Sequence, residues 1–255
     1  MIRGGVILTL AALALAAPRA STAAEAPVTG ASAVAPEAAK AKAKVIVTKL
    51  SDELKTSRWA YPARRSGIRA APSTTARTVA HLRLITEDGL PDTYLLLSRR
   101  QQGTQDWVQV RIPGRPNGRT GWVPRDALGD FNTIHTSLLV ERARHRVTVR
   151  NFGKVVATFP IGVGKSSTPT PAGRFWIREK FVVKNAPAYG PRALGTSAYA
   201  PHLTDWPNGG VVGFHGTDEP GLVPGNPSHG CIRLHNADIL KMYHLVPLGT
   251  PVRVV

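Results

Sequence analysis

Cysteine is nearly absent from the 255-residue sequence: Cys231 stands alone. One thiol excludes an intramolecular disulfide framework and the multi-cysteine zinc scaffolds. Acidic residues are scarce as well, 16 Asp and Glu against 33 Lys and Arg, for a formal net charge of +17. No apolar run approaches the roughly 20 residues that span a bilayer. There is no glycine-rich nucleotide loop and no phosphate or flavin motif, so no organic cofactor is expected. The positive charge is spread along the chain, without a basic stripe interleaved with aromatics, and nucleic acid is therefore not an expected partner. What is present is 42% hydrophobic residues, enough for a packed core, in a length that suits one or two domains.

The N-terminus reads as an address. Arg3 precedes an apolar stretch from Val6 to Ala17, and small residues from Ala20 to Ala24 follow. This is the pattern of a secretory signal peptide over 1–24, cleaved near Ala24, with a retained anchor as the alternative. The only cysteine lies far downstream, which excludes a lipoprotein anchor. The expected location is therefore exported: cell wall, periplasm or extracellular space. A basic exported protein meets anionic wall polymers or membrane headgroups. Residues 25–57 are rich in Ala, Pro and Lys and read as a tether.

Residues 58–130 read as a small β-domain. Short apolar segments (78–82, 93–97, 107–111 and 121–123) recur between turn signals, and Pro113-Gly114 with Pro116-Asn117-Gly118 marks a hairpin. The order Ile68-Arg69-Ala70-Ala71-Pro72, Trp107-Val108-Gln109-Val110, Gly121-Trp122-Val123-Pro124 resembles the small Src-homology-type barrels of bacterial cell-wall proteins. That resemblance implies a region that binds wall polymer or orients its neighbour; the alternative is a structural β-domain with core tryptophans. Residues 133–255 continue in β-like segments at 138–141, 146–150, 154–159 and 211–214. A helix is predicted over Asn236 to Leu245, with Asn236 as cap and Ile239, Leu240, Tyr243 and Leu245 facing the core. A last strand follows from Thr250. The expected fold class is mainly β: a small barrel-like domain, then a β-sandwich-like domain with one or two short helices.

The chemistry concentrates around Cys231. A lone cysteine is often only a small buried hydrophobe, but His229 and Gly230 adjoin this one and His215 ends a strand upstream. Acyl transfer by a thiol needs a thiolate, a base beside it and backbone donors for the oxyanion. No acidic residue accompanies the set, so a hydroxyl or a backbone carbonyl would have to orient the histidine. A zinc reading uses His215, His229, Cys231 and His235, but their spacing is not that of paired zinc ligands, and no metal is expected.

Ser228-His229-Gly230-Cys231-Ile232-Arg233-Leu234, preceded by His215-Gly216-Thr217, resembles the catalytic domain of the L,D-transpeptidases. Thr168-Pro169-Thr170-Pro171-Ala172-Gly173-Arg174-Phe175 and the closing Gly249-Thr250-Pro251-Val252-Arg253-Val254 fit the same family, so the resemblance covers 133–255. It implies that Cys231 is the nucleophile toward a peptidoglycan stem tetrapeptide, releasing D-alanine and forming a thioester. His215 is then the base, oriented by the carbonyl of Gly216, with the oxyanion held by N–H groups around Gly230 and Cys231. Ser228 and His229 shape the site and Arg233 binds substrate carboxylate. Transfer to a diamino-acid side-chain amine makes a 3→3 cross-link, whereas water as acceptor gives an L,D-carboxypeptidase. The stretch from Pro187 to Trp206 reads as a loop over the cleft, with Tyr189, Tyr199 and Trp206 either touching substrate or packing the loop. Rival readings are a catalytically silent wall-binding protein, a nucleic-acid binder suggested by charge alone, and a metallopeptidase. Oligomeric state has no signature in the sequence.

Overall fold

The computed structural model describes residues 43–203 and 210–255. The expected signal peptide, residues 25–42 of the tether and Trp206 lie outside the described residues. Eight strands come first: β1 (Val45–Lys49), β2 (Ser57–Ala60), β3 (Gly67–Arg69), β4 (Thr78–His81), β5 (Tyr94–Gln102), β6 (Gln105–Arg111), β7 (Thr120–Pro124) and β8 (Asn132–Ile134). Then follow β9 (Thr136–Glu141), β10 (Arg146–Asn151), β11 (Lys154–Pro160), β12 (Gly162–Gly164), β13 (Gly173–Val182), β14 (Arg192–Tyr199), β15 (Val211–His215), β16 (Gly225–Ser228) and β17 (Ile232–Arg233). Helix α1 (Asn236–Leu245) and β18 (Pro251–Val254) complete the mainly β architecture.

The first sheet runs in the order β4-β3-β7-β6-β5-β2-β8. Alternation along β6 buries Val108 and Val110, which meet Ile68, Tyr94, Leu96 and Val123 in one apolar cluster. Part of the segment read as a tether is strand: β1 pairs with the far half of β5, from Val45 opposite Gln102 to Lys49 opposite Ser98. All five β1 residues are exposed, so backbone pairing rather than burial holds them, and composition does not reveal such pairing.

The second sheet runs β11-β10-β9-β18-β13-β14-β15-β17-β12-β16. β13 pairs through Gly173–Trp176 with β18 and from Ile177 onward with β14, with a register shift after Ile177. One bulged strand thereby serves both halves of the sheet. Val147, Val149, Phe175, Leu194, Phe214 and Ile232 share the core between them, each contributing about 1.5–3 kcal/mol by leaving water. The predicted loop over 187–206 is corrected for eight residues, because β14 is an interior strand between β13 and β15. Its small residues hide it from periodicity; pairing on both sides decides it. The helix falls on the predicted residues, but its buried face is Ile239 and Met242, and Leu245 is exposed. His235, not Asn236, occupies the cap position, with no side-chain capping bond.

Both sheets lie in one compact unit, Lys42–Val255. Arg178 of β13 and Asp92, both completely buried, form a two-pronged ion pair at 2.8 and 2.9 Å. Trp176 Nε1 donates to the Thr93 carbonyl at 3.1 Å. Arg178 also reaches Glu87 at 3.3 Å, and Glu87 in turn accepts from Arg83 and from the Tyr199 hydroxyl.

Candidate active site

β15 and β17 run parallel, with Phe214 opposite Ile232 and His215 opposite Arg233. Parallel neighbours need a long connection, and residues 216–231 provide it. His215 ends β15 and Cys231 directly precedes β17, so the two lie on neighbouring strands within two register positions of each other. Both side chains line two cavities that meet there. One, of about 330 Å³, also holds His229, Arg233, Ala200 and Leu203; the other, of about 360 Å³, extends past Gly213 toward Lys184 and Asp88.

Two side chains, Ser228 and Thr170, brace the turn that carries the thiol. Ser228 Oγ accepts the Gly230 N–H at 3.1 Å and donates to the Cys231 carbonyl at 2.5 Å. Gly230 has φ +129°, a conformation that costs a residue with a Cβ. Its carbonyl accepts from the hydroxyl of buried Thr170 at 2.8 Å, and the same hydroxyl accepts the Gly164 N–H at 2.9 Å. Thr170 thereby ties β12 to the Cys231 turn. The sequence shows it only as part of a motif, without a role.

His215 Nδ1 lies 2.6 Å from the Gly216 carbonyl oxygen. A carbonyl only accepts, so Nδ1 carries the hydrogen and Nε2 is the basic nitrogen. A Cβ on Gly216 would collide with Asn236 Oδ1. That oxygen accepts the Thr217 N–H at 2.9 Å, which is what Asn236 does in place of capping its helix. Burial pushes the imidazole pKa down to about 4, against the pull of the Gly216 bond and with help from the charge of Arg233. Burial also raises the Cys231 thiol, against a backbone bond from Gly213 and the Arg233 charge. At neutral pH the cavity walls thus carry a thiol and an uncharged imidazole.

The other sequence candidates divide. Tyr189 reaches the cleft, its ring 4.8 Å from that of His215, and exposed His229 lines the first cavity. Arg233 lines it as well, with Nη1 on the Glu219 carboxylate at 2.7 Å. Two expectations are corrected. The Gly230 N–H, expected to serve the oxyanion, is already taken by Ser228. Tyr199, read as touching substrate or packing a loop, lies at the end of strand β14, buried against the first sheet with its hydroxyl on Glu87 and turned away from the cleft. Its neighbours Ala200 and Leu203 form the wall instead, and neither carries a chemical signal that sequence reading could use. Among the described residues, no group of three or more His, Cys, Asp or Glu is placed to hold a metal ion.

A family model described as YkuD, L,D-transpeptidase catalytic domain, matches residues 135–254. YkuD of Bacillus subtilis (strain 168) is 32% identical over 154 residues, covering 60% of this chain and 79% of that protein. YkuD of Bacillus licheniformis is 36% identical over 101 residues, 40% of this chain and 54% of that protein. The solved catalytic domain of the E. faecium L,D-transpeptidase is 26% identical with a TM-score of 0.35, covering 47% of this chain and 96% of that one.

Proposed function

The chain belongs to the L,D-transpeptidase family, and from that premise we propose that it is an exported enzyme that cross-links peptidoglycan stem peptides through a thioester on Cys231. The observation that carries this reading is the placement of Cys231 and His215 on the same cavity walls, with the imidazole locked by the Gly216 carbonyl.

In the first half-reaction, His215 Nε2 takes the thiol proton as Sγ attacks the carbonyl of the L-centre in a stem tetrapeptide. The Cys231 N–H faces the developing oxyanion. When the tetrahedral intermediate collapses, the bond to D-alanine breaks and His215 returns the proton to the departing amine, leaving the thioester. In the second half-reaction, the side-chain amine of a diamino acid attacks that thioester, His215 takes its proton, and the thiol is restored. Arg233 suits a substrate carboxylate, which would take the place of Glu219; the planar guanidinium fork is the natural partner of such a group. The basic composition favours residence near anionic wall polymers.

The test is incubation of the protein, and of Cys231→Ala, with a disaccharide-tetrapeptide, read by intact-protein and product mass spectrometry. The expected result is an acyl adduct on Cys231, loss of D-alanine and a dimer, none of them with the alanine variant. Tripeptide without dimer would assign the carboxypeptidase reaction, and a folded protein with neither adduct nor product would overturn the reading. Across pH, adduct formation is expected to hold until His215 takes up a proton near its value of about 4, falling below that because the protonated imidazole is no longer a base.

A further inference from the structure

One wall of the Cys231 cleft is held from the other sheet. The hairpin between β6 and β7 carries Arg115 and Asn117 onto the end of β14. Asn117 Nδ2 donates to the Tyr199 carbonyl at 2.8 Å and its Oδ1 accepts the Tyr199 N–H at 3.0 Å. A side-chain amide thus makes the two bonds that a neighbouring strand would make. Arg115 donates from Nε and Nη2 to the Ala200 carbonyl at 3.0 and 2.7 Å, and from Nη2 to the Leu203 carbonyl at 3.0 Å. Its guanidinium also lies over the Tyr199 ring, 5.3 Å from the centroid.

These bonds end where the cleft begins. Ala200 and Leu203 line the cavity that holds Cys231 and His215, as does Gly210, whose carbonyl accepts the Ala200 N–H at 2.8 Å. Gly210 has φ +75°, and a Cβ there would overlap the Leu203 carbonyl and come within 2.9 Å of Arg115 Nη2. Glycine at 210 leaves the space in which the guanidinium and that carbonyl meet. A planar fork of donors serves two carbonyls three residues apart together with an aromatic face in one pre-organised geometry, which a lysine ammonium, with three donors on a flexible stem, does not supply.

We propose that Arg115 and Asn117 are positioning residues of the transpeptidase, setting the Ala200–Leu203 wall against which the acyl donor is bound. The inference rests on the transpeptidase reading and assigns the first sheet a part in substrate binding. Neither residue touches the reacting atoms. Their loss weakens donor binding and leaves the Cys231–His215 pair as it is.

The test uses the full chain and the variants Arg115→Ala, Arg115→Lys and Asn117→Ala. Val108→Ala, in the core of the first sheet, serves as a control for destabilisation alone. Cys231 acylation is measured against disaccharide-tetrapeptide concentration, Cys231 alkylation with iodoacetamide, and hydrogen exchange over 199–203. For Arg115→Ala the half-saturating donor concentration is expected to rise roughly tenfold, the equivalent of one or two charge-assisted bonds. The maximal acylation rate and the alkylation rate stay within about twofold of wild type, since the reacting pair is intact. Arg115→Lys falls between, and exchange over 199–203 quickens in both alanine variants because the Tyr199 N–H and the wall lose their partners. The proposal is overturned by half-saturation within about twofold of wild type, by unchanged exchange, or by Val108→Ala reproducing both effects at an equal loss of Tm. A parallel fall in alkylation also overturns it, by placing the defect at the thiol. Absence of an adduct on the wild-type protein would instead reject the transpeptidase reading, and the exchange data would then decide the clasp alone.

Discussion

Arg178→Met tests the buried junction between the two sheets. Arg178 and Asp92 are each completely buried and joined by two bonds. Removing the guanidinium leaves the Asp92 carboxylate with only the Thr93 N–H at 2.8 Å and, at 3.6 Å, Arg83. Breaking one side of such a pair costs about 3–5 kcal/mol, a large share of the roughly 5–15 kcal/mol that holds a domain folded. Replacing both partners removes the stranded charge. In Arg178→Met/Asp92→Leu, Glu87 keeps Arg83 and the Tyr199 hydroxyl, so the chief remaining loss is the acceptor of the Thr93 N–H, about 1–3 kcal/mol. The double variant should therefore be more stable than Arg178→Met by about 2 kcal/mol. Urea unfolding followed by tryptophan fluorescence measures both at an unchanged slope. A single variant within about 1 kcal/mol of wild type, or a double variant less stable than the single, would refute the reasoning.

Thr170→Val keeps the shape of the side chain but orphans the Gly164 N–H and the Gly230 carbonyl. A loss of about 2–4 kcal/mol is expected, with slower acylation of Cys231, and Thr170→Ser should recover most of both; equal stability and rate for Val and wild type would sink the assignment. Glu179 is buried, and its pKa is raised from 4.5 to about 7, first by burial and then by the carboxyl of Asp88, against the pull of the Thr86 hydroxyl. The folded protein holds a proton there that the unfolded chain releases above about 4.5. Stability conferred by this group is therefore full at low pH, is lost as pH rises toward about 7, and is level beyond. The whole change is about 3 kcal/mol. Glu179→Gln should flatten that slope in chemical denaturation across pH, and an unaltered slope would contradict it.

The candidate site was legible in the sequence because most of its residues are close together in the chain. Ser228, Gly230 and Cys231 lie within four consecutive residues, and His215 ends an apolar run, so the residue types themselves announce a thiol, a base and a tight turn. The β-branched run Val147-Thr148-Val149 marks β10, and turn chemistry marks the hairpins, since those patterns are also set by near neighbours. The rest depends on residues far apart in the chain. β14 reads as loop because its residues are small; it is a strand because β13 and β15 pair with it on either side. Tyr199 reads as a cleft aromatic, yet its direction follows from β14 and its hydroxyl from Glu87. Thr170, Asn236 and Arg115 have nothing unusual about them until the fold brings a carbonyl or an N–H to each. A sequence thus specifies which groups are available for the chemistry, whereas partners distant in the chain, each satisfying a backbone group that burial would otherwise leave unpaired, decide where those groups stand.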